Sequence, residues 1–326
     1  TSYGAAFNAP LGEQIAFRAS GVLQNAPGMY DNLQRNEDNA NSFRKWSGRG
    51  ALRWEPTERF SANLMFLKQQ SHTNDVLVAD NPDGDLESNN KPGPSFIDFG
   101  FSMANADLRY RLDDWGTVVL QSTWQTKDSV GDIDAGVSAT GSQGIEAVRA
   151  TFDTRVKGNM QEIRLVSPDG GKWDWIVGLS QRDYEAFVNV AVGTKQIRHL
   201  IHTEILPLTA KETALYGELV RRFGTHWEAT VGARRYATKM GGTFEAKILD
   251  VVPEYKHTID QQESGINPKF SLAYKANESL MAYVTFARGF QFGGVNTPLS
   301  LPLLNDYQNP VTGKPTELNA ETFDEL

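Results

Sequence analysis

The chain has 326 residues, of which 32 are basic and 40 acidic, giving a formal net charge of -8, and it contains no cysteine. This composition excludes disulfides and thiolate metal sites, and the absence of a basic block argues against nucleic acid as a partner. No run of about 18 apolar residues occurs, which excludes a spanning helix, but the mean hydropathy of -0.44 does not exclude a spanning barrel, because only alternate residues of its strands face lipid.

Segments with a two-residue period recur along the chain, each with one apolar and one polar face. Their apolar positions, in chain order, include Ile15, Phe17 and Ala19, then Leu52 and Trp54, then Ala62, Leu64 and Phe66, then Leu108 and Tyr110, then Val118, Leu120 and Trp124. Later pairs of segments meet at short turns over 168–171, 224–226 and 276–278. Each segment has about 10 to 13 residues, close to the 9 to 11 that a tilted spanning strand needs. We therefore expect the apolar sets to face lipid and the polar sets to face a lumen.

Aromatic residues gather at the short turns, where Trp54 and Phe60 flank one turn and Phe223 and Trp227 bracket another. This placement is typical of a membrane–water interface. The remaining connections are long and rich in Gly, Asn, Asp, Ser and Pro, and they cover about 25–43, 72–100, 127–158, 185–210, 240–263 and 290–320. Short turns at one end and long loops at the other predict an all-β, antiparallel transmembrane β-barrel with periplasmic turns and extracellular loops.

Three neighbouring stretches between 266 and 296 resemble a known family most clearly. Residues 266–274 read INPKFSLAY, residues 280–290 read LMAYVTFARGF, and GGVN follows at 293–296. This sequence is similar to that of TonB-dependent outer-membrane receptors, as are QEIRLVS at 161–167 and ALYGE at 214–218. The resemblance implies a barrel of 22 strands around an N-terminal plug. Residues 1–326 would then form one partial barrel domain of about 12 or 13 strands, without the plug and the C-terminal strands.

The resemblance also implies a function in the outer membrane of a Gram-negative cell. Such a receptor captures a scarce nutrient with its extracellular loops and imports it by plug rearrangement, driven by a TonB-type partner. A ferric siderophore is the leading expectation, with iron entering as cargo and no cofactor required; cobalamin, haem or an oligosaccharide fits the same wall. No enzyme is predicted, since no G-x-S-x-G, Walker or G-x-G-x-x-G motif occurs in a suitable context. A passive porin and a soluble β-sandwich binding module are the alternatives.

The residue-level candidates are polar positions on the predicted strands. Arg109, Arg111, Glu162, Arg164, Glu218, Arg234 and Arg288 are predicted to line the lumen, either hydrogen-bonded to a plug or simply hydrated. For the segment 279–289 either face suits the lumen, so its orientation is left open. His199 and His202, with Glu204, are weak metal candidates, because an odd separation puts two strand residues on opposite faces. The carboxylates of 80–87 do not fit an EF-hand and are read as a solvated turn.

Overall fold

The structure, a computed structural model, describes residues 1–75, 86–88, 91, 93–134, 149–168, 170–193, 201–248, 255–289, 294–295 and 322–323. Its strands, in chain order, are β1 (Ser2–Pro10), β2 (Ile15–Ala26), β3 (Asp31–Asn32), β4 (Phe43–Thr57), β5 (Phe60–Asn74), β6 (Glu87–Ser88), β7 (Phe96–Arg111), β8 (Thr117–Asp134), β9 (Arg149–Val166), β10 (Trp173–Gly193), β11 (Ile201–Phe223), β12 (Trp227–Ile248), β13 (Tyr255–Asn277), β14 (Leu280–Ala287), β15 (Gly294–Val295) and β16 (Thr322–Phe323).

Twelve of these strands form a single antiparallel sheet in the order β1-β2-β4-β5-β7-β8-β9-β10-β11-β12-β13-β14. Each long strand pairs with its neighbour in sequence, so the sheet is a meander of hairpins, and the prediction of an all-β antiparallel fold with about twelve strands is confirmed. The two-residue strands pair outside it, β3 with β6 and β15 with β16. Among the described residues, no helix is long and apolar enough to cross a membrane.

The hairpin connections are short at one end of the sheet. The turn between β7 and β8 contains a single 3₁₀ turn, Asp113–Trp115, and closes on Gly116 at a φ of 113°. A Cβ at that position would lie 2.0 Å from the carbonyl oxygen of Val166, so both the backbone angle and the space require glycine. This packing ties the β7–β8 turn to the end of β9.

The strands are longer than predicted and run into the predicted loops. Within 127–158, β8 continues to Asp134 and β9 begins at Arg149, while β10 and β11 fill most of 185–210 and β12 and β13 most of 240–263. The loops at 25–43 and 72–100 overlap the long strands only at their ends and contain the two-residue strands β3 and β6, and most of 290–320 lies outside the described residues. β1 has no counterpart among the predicted strands. The predicted bounds were wrong because the apolar-outward pattern used to recognise a strand stops before the strand does.

Strand register assigns every residue to one of two faces, because directly paired residues point to the same side. One continuous row of partners consists of Ile15, Trp54, Ala62, Leu108, Leu120, Ile163, Leu179, Leu215, Arg235 and Ile266. We call this the reference row and its side the outer face; the other side is the inner face. Large apolar side chains of the outer face are exposed, for example Ile163 at 47% and Leu215 at 56%. The outer face therefore carries the apolar band that a membrane wall requires.

The apolar band crosses the ladder diagonally. On β2 the last apolar residue of the band on the long-loop side is Leu23, eight residues beyond Ile15 of the reference row. On β14 the corresponding residue is Phe286, which pairs with Phe270. Phe270 lies four residues from Ile266 of the reference row, on the short-turn side. The edge thus drops by twelve residues over ten strand-to-strand steps. At about 3.3 Å per residue and 4.8 Å per strand, this drop gives a strand tilt of about 40°, within the range of closed barrels. A flat apolar layer crossed by tilted strands produces this pattern.

An aromatic girdle marks the short-turn edge of the band. Trp54 and Phe60 meet edge to face with ring centroids 5.7 Å apart, and Trp227 lies 4.8 Å from Tyr274. The guanidinium of Arg221 lies 4.2 Å from the centre of the Trp173 ring. Amphipathic rings at this level are typical of a membrane interface.

Candidate functional site

The inner face brings together six of the seven predicted lumen residues. By register, Arg109, Arg164 and Arg234 lie in one row of cross-strand partners, and Glu162, Arg111 and Glu218 lie in the rows directly beside it. The six side chains come from β7, β9, β11 and β12, so they form one continuous polar surface rather than scattered positions. That this surface borders a lumen or a plug remains a prediction.

Arg288 is placed differently from the other six. It follows the last residue of β14, and its backbone N–H donates to the carbonyl oxygen of Pro268 at 3.1 Å, which continues the β13–β14 ladder. Pro268 shares the outer face with Ile266 and Phe270, so the register sets Arg288 on that face. The same ladder resolves the orientation of β14: Val284 and Phe286 lie on the outer face, and Tyr283 and Thr285 on the inner face.

Ion pairs neutralise most of the charge on the inner face. Arg109 Nε donates to Asp107 Oδ1 at 2.7 Å, Lys269 Nζ lies 2.7 Å from Glu218 Oε2, and Arg164 pairs with Glu162. Arg111 instead donates to the backbone carbonyl of Glu58 at 2.6 Å. Two of these pairs join alternate residues of one strand, and the Lys269–Glu218 pair crosses β12 over Gly232, so the paired side chains lie along the wall.

Glu212, which the sequence analysis did not single out, is the most enclosed member of this surface. Its carboxylate is 1% exposed and accepts from Arg234 Nη2 at 2.5 Å, while Arg182 Nε lies 3.8 Å away. Arg182 and Glu212 are direct cross-strand partners, so one carboxylate lies between two guanidinium groups. Neither the composition nor the spacing of 210–216 distinguishes this Glu from the other acids, and only the register reveals its partners.

Four aromatic rings lie flat against glycines on the inner face, a second feature that the sequence analysis missed. Tyr216 pairs directly with Gly178, Tyr236 with Gly265, Tyr184 with Gly158 and Phe152 with Gly131. A Cβ added at any of these glycines would lie within 2.8 Å of an atom of the facing aromatic side chain. An aromatic ring over a strand glycine restores the packing that glycine lacks. The rings therefore line the wall without projecting into the interior.

The polarity of the two faces reverses towards the long loops. Beyond the apolar band the outer face carries charged residues, including Asp98, Asp128 and Arg155, the last two paired at 2.8 Å. The inner face at the same level is largely apolar and half-buried, with Ile97, Phe99, Phe101, Phe152, Val156 and Tyr184. Lys127, an exposed cation with no ion pair in the described part of the chain, lies beside Phe101 and Val156. We call these residues the upper inner surface.

A packed cap covers one part of the long-loop end. Arg35 donates to Asp75 Oδ2 at 2.5 Å and to the carbonyl oxygen of Gly93 at 2.6 Å, and Asp75 is only 2% exposed. Burial lowers the pKa of Arg35, but the hydrogen bonds and charges of Asp75 and Glu37 outweigh it, so the pKa is raised overall. Tyr30, Asn32 and Ser88 are also buried here. The loops 27–42 and 75–95 are therefore docked on each other where the structure describes them.

The weak metal candidates gain no support. His199 and residues 80–85 of the acidic stretch lie outside the described residues, and His202 lies in β11 without a described side chain. Within the described ranges, no group of three or more His, Cys, Asp or Glu side chains is arranged to hold a metal ion.

Comparison with known proteins agrees with this geometry. A family model described as "TonB dependent receptor-like, beta-barrel" matches residues 63–324. The fold is similar to the ferric yersiniabactin uptake receptor FyuA from Yersinia pestis, with a TM-score of 0.78 and 15% identity over 90% of this chain and 45% of that one. It is also similar to the ferripyoverdine receptor of Pseudomonas aeruginosa, with a TM-score of 0.68 and 12% identity over 88% of this chain and 40% of that one. The copper transporter OprC matches with a TM-score of 0.60 and 13% identity over 88% of this chain and 44% of that one.

No curated protein matches the sequence. The chain spans less than half the length of these three solved structures, and identities this low show the fold alone.

Proposed function

This chain belongs to the TonB-dependent receptor β-barrel family, and we propose that it forms the wall of a receptor that binds a ferric siderophore and imports it. The family supports an outer-membrane location for this wall and a role in nutrient uptake rather than catalysis. Its short turns would face the periplasm and its long loops the outside.

The division of the inner face into two levels carries the proposal. Within the apolar band the inner face is polar and ion-paired, which suits contact with a hydrated plug. Above the band, the upper inner surface combines aromatic rings with Lys127, a cation that has no ion pair within the described ranges. Aromatic faces and one cation suit a small, partly aromatic, anionic ligand, and a ferric siderophore has this character. Two of the similar structures are ferric-uptake receptors, which supports this cargo. The copper transporter has the same fold, so the fold by itself does not select the cargo.

In this proposal the chain itself carries out no chemistry. The upper inner surface and the loops bind the ligand, and iron passes through as part of the cargo. The plug is held by hydrogen bonds from Arg109, Arg164 and Glu162, and from Glu212 together with its partners Arg182 and Arg234. A TonB-type partner supplies the energy that rearranges the plug.

Uptake of ⁵⁵Fe by iron-limited cells tests the proposal. A strain lacking the receptor is complemented with the complete protein and offered ferric catecholate, hydroxamate and mixed-ligand siderophores. We expect saturable uptake of one class that stops when the proton-motive force is dissipated. The double variant Phe101→Ala/Lys127→Gln should raise the half-saturating concentration at least about tenfold, since an aromatic contact and a charge-assisted contact are lost together. Lys68→Gln, on the outer face, is the matched control.

Two results would overturn the proposal. Non-saturable, energy-independent entry of small solutes would favour the passive porin instead. Wild-type uptake by the Phe101→Ala/Lys127→Gln variant would remove the upper inner surface as the binding site.

A further inference from the structure

Three basic side chains, those of Lys211, Lys239 and Arg235, form a patch on the outer face at the long-loop edge of the apolar band. Lys211 lies on β11, four residues past Leu215 of the reference row, and Lys239 lies on β12, four residues past Arg235 of that row. All three cations are exposed, and none has an ion pair within the described residues. We call Lys211, Lys239 and Arg235 the outer basic patch.

Lys211 and Lys239 are direct cross-strand partners on the same face. Their Cβ atoms are therefore about 5 Å apart, and like charges directly opposite each other destabilise a sheet. No acid is interposed, since the partner of Lys239 on its other side is Gln262. The two ammonium groups repel each other when nothing lies between them, and an anion bound between them removes this repulsion.

Arg235 provides an independent reason for an anion at this place. Its cross-strand partners on the outer face are Leu215 and Ile266, which are 56% and 53% exposed, so its Cα lies in the apolar band itself. A charged side chain on the lipid face is costly unless it reaches the interface and is paired there. The guanidinium can extend towards Lys239, about 13 Å further along the strand, and the long side chains of both residues can reach one group between them.

The nearest acids offset only part of the charge of the outer basic patch. Asp183 is the cross-strand partner of Lys211 on its other side but accepts from Gln181 Nε2 at 3.0 Å and makes no ion pair with the lysine. Asp260 lies one row further towards the long loops. Thr213, Gln262 and Ser264 surround the patch with neutral hydrogen-bonding groups on the same face.

We propose that the outer basic patch binds the phosphorylated headgroup of a lipid in the outer leaflet, with the acyl chains lying on Leu215 and Ile266. A lipid supplies both parts of the match, since the apolar band meets the patch without a gap. The inference concerns the outer face and does not depend on the cargo of the inner face.

Native mass spectrometry of the complete protein, purified in detergent and delipidated, tests this proposal. The probes are a bis-phosphorylated lipid A, phosphatidylcholine as the uncharged comparison, and inorganic phosphate alone. Removing two of the three cations in Lys211→Gln/Lys239→Gln should weaken lipid A binding about thirtyfold, because each basic residue near a membrane surface contributes about a fivefold factor. Lys68→Gln, at another exposed outer-face lysine just beyond the apolar band, should change binding less than about twofold because it lies five strands from β11 and six from β12.

Further measurements keep the test decisive if a variant folds poorly. Heat-modifiable gel mobility reports folding of each variant, and on the unmodified protein lipid A binding should weaken when NaCl is raised from about 0.05 to 0.5 M. The proposal is overturned if phosphatidylcholine binds as well as lipid A, if Lys68→Gln weakens binding as much as the double variant, or if inorganic phosphate displaces the lipid completely at equal phosphate concentration, which would indicate a site for free phosphate.

Discussion

Val177 and Ile176 are adjacent on β10, and the register places them on opposite faces. Val177 is an outer-face residue between Leu165 and Gly217, whereas Ile176 faces inward opposite Glu218. Replacing each with lysine therefore introduces the same charge into lipid in one case and into the polar inner face in the other. A matched pair of this kind separates the effect of the face from the effect of the residue type.

The position of Val177 determines the expected cost. It lies four residues from Trp173 at the girdle and four from Gln181, the first polar outer-face residue beyond the band. With 3.3 Å per residue and a 40° tilt, it is about 10 Å from either edge, beyond the full reach of a lysine side chain. Val177→Lys should therefore lower the free energy of unfolding by about 2 to 4 kcal/mol. Ile176→Lys should cost less than about 1 kcal/mol, since its side chain extends over the polar inner face beside the Glu218–Lys269 pair.

Reversible urea unfolding of the complete protein in lipid vesicles, followed by tryptophan fluorescence and gel mobility, measures both values. The assignment of faces would be wrong if the two variants agreed within about 0.5 kcal/mol, or if Ile176→Lys were the more destabilising.

Three further predictions concern the inner face and the cap. Gly178→Ala should destabilise the protein by about 1 to 3 kcal/mol, because its Cβ would lie 2.5 Å from the Tyr216 ring. Gly217→Ala should be tolerated, because its Cβ would meet only a backbone oxygen at 3.4 Å. Equal unfolding midpoints for the two variants would contradict this. Glu212→Gln should lower the free energy of unfolding by about 1 to 3 kcal/mol, because it leaves Arg234 and Arg182 without a carboxylate. Arg234→Lys, which retains the charge pair, is the comparison. An unchanged free energy of unfolding in Glu212→Gln would show that these groups are hydrated. Asp75→Asn should speed protease cleavage within 27–42 on intact cells, whereas Asp38→Asn, at an exposed site, should not; unchanged cleavage would mean that the Arg35–Asp75 pair does not hold the cap.

The membrane-spanning part of the fold could be predicted from local sequence because lipid imposes one rule on alternate residues. Leu120, Ile163 and Leu179 are apolar for the same reason, and their period of two identifies both strand and face. Beyond the band this rule no longer applies: Asp128 and Arg155 point outward while Phe101 and Phe152 point inward. The ends of β8 and β9 therefore look like loop sequence when read with the lipid-facing pattern.

The contacts of the inner face were less accessible to sequence reasoning, because they depend on register between strands. Glu212 meets Arg234 only through the pairing of β11 with β12, and the residues are 22 positions apart. The match between Gly178 and Tyr216 likewise spans two strands. Arg288 shows the same limit: the sequence of 279–289 left its orientation open, and only the ladder with Pro268 places Arg288 on the outer face.

The diagonal apolar band can be measured directly, because the chain has no cysteine and accepts single spin labels without background. Nitroxides at successive residues of β5 and β13 of the complete protein in lipid vesicles report collision with oxygen, which enters lipid, and with a nickel complex, which stays in water. On the outer face, accessibility should switch from oxygen to nickel at Lys68 on β5 and at Ser264 on β13. The residue of β13 in the same row of cross-strand partners as Lys68 is Asp260, and Ser264 lies four residues nearer the short turns. A switch at Asp260, or accessibility without a period of two, would contradict a tilted barrel wall.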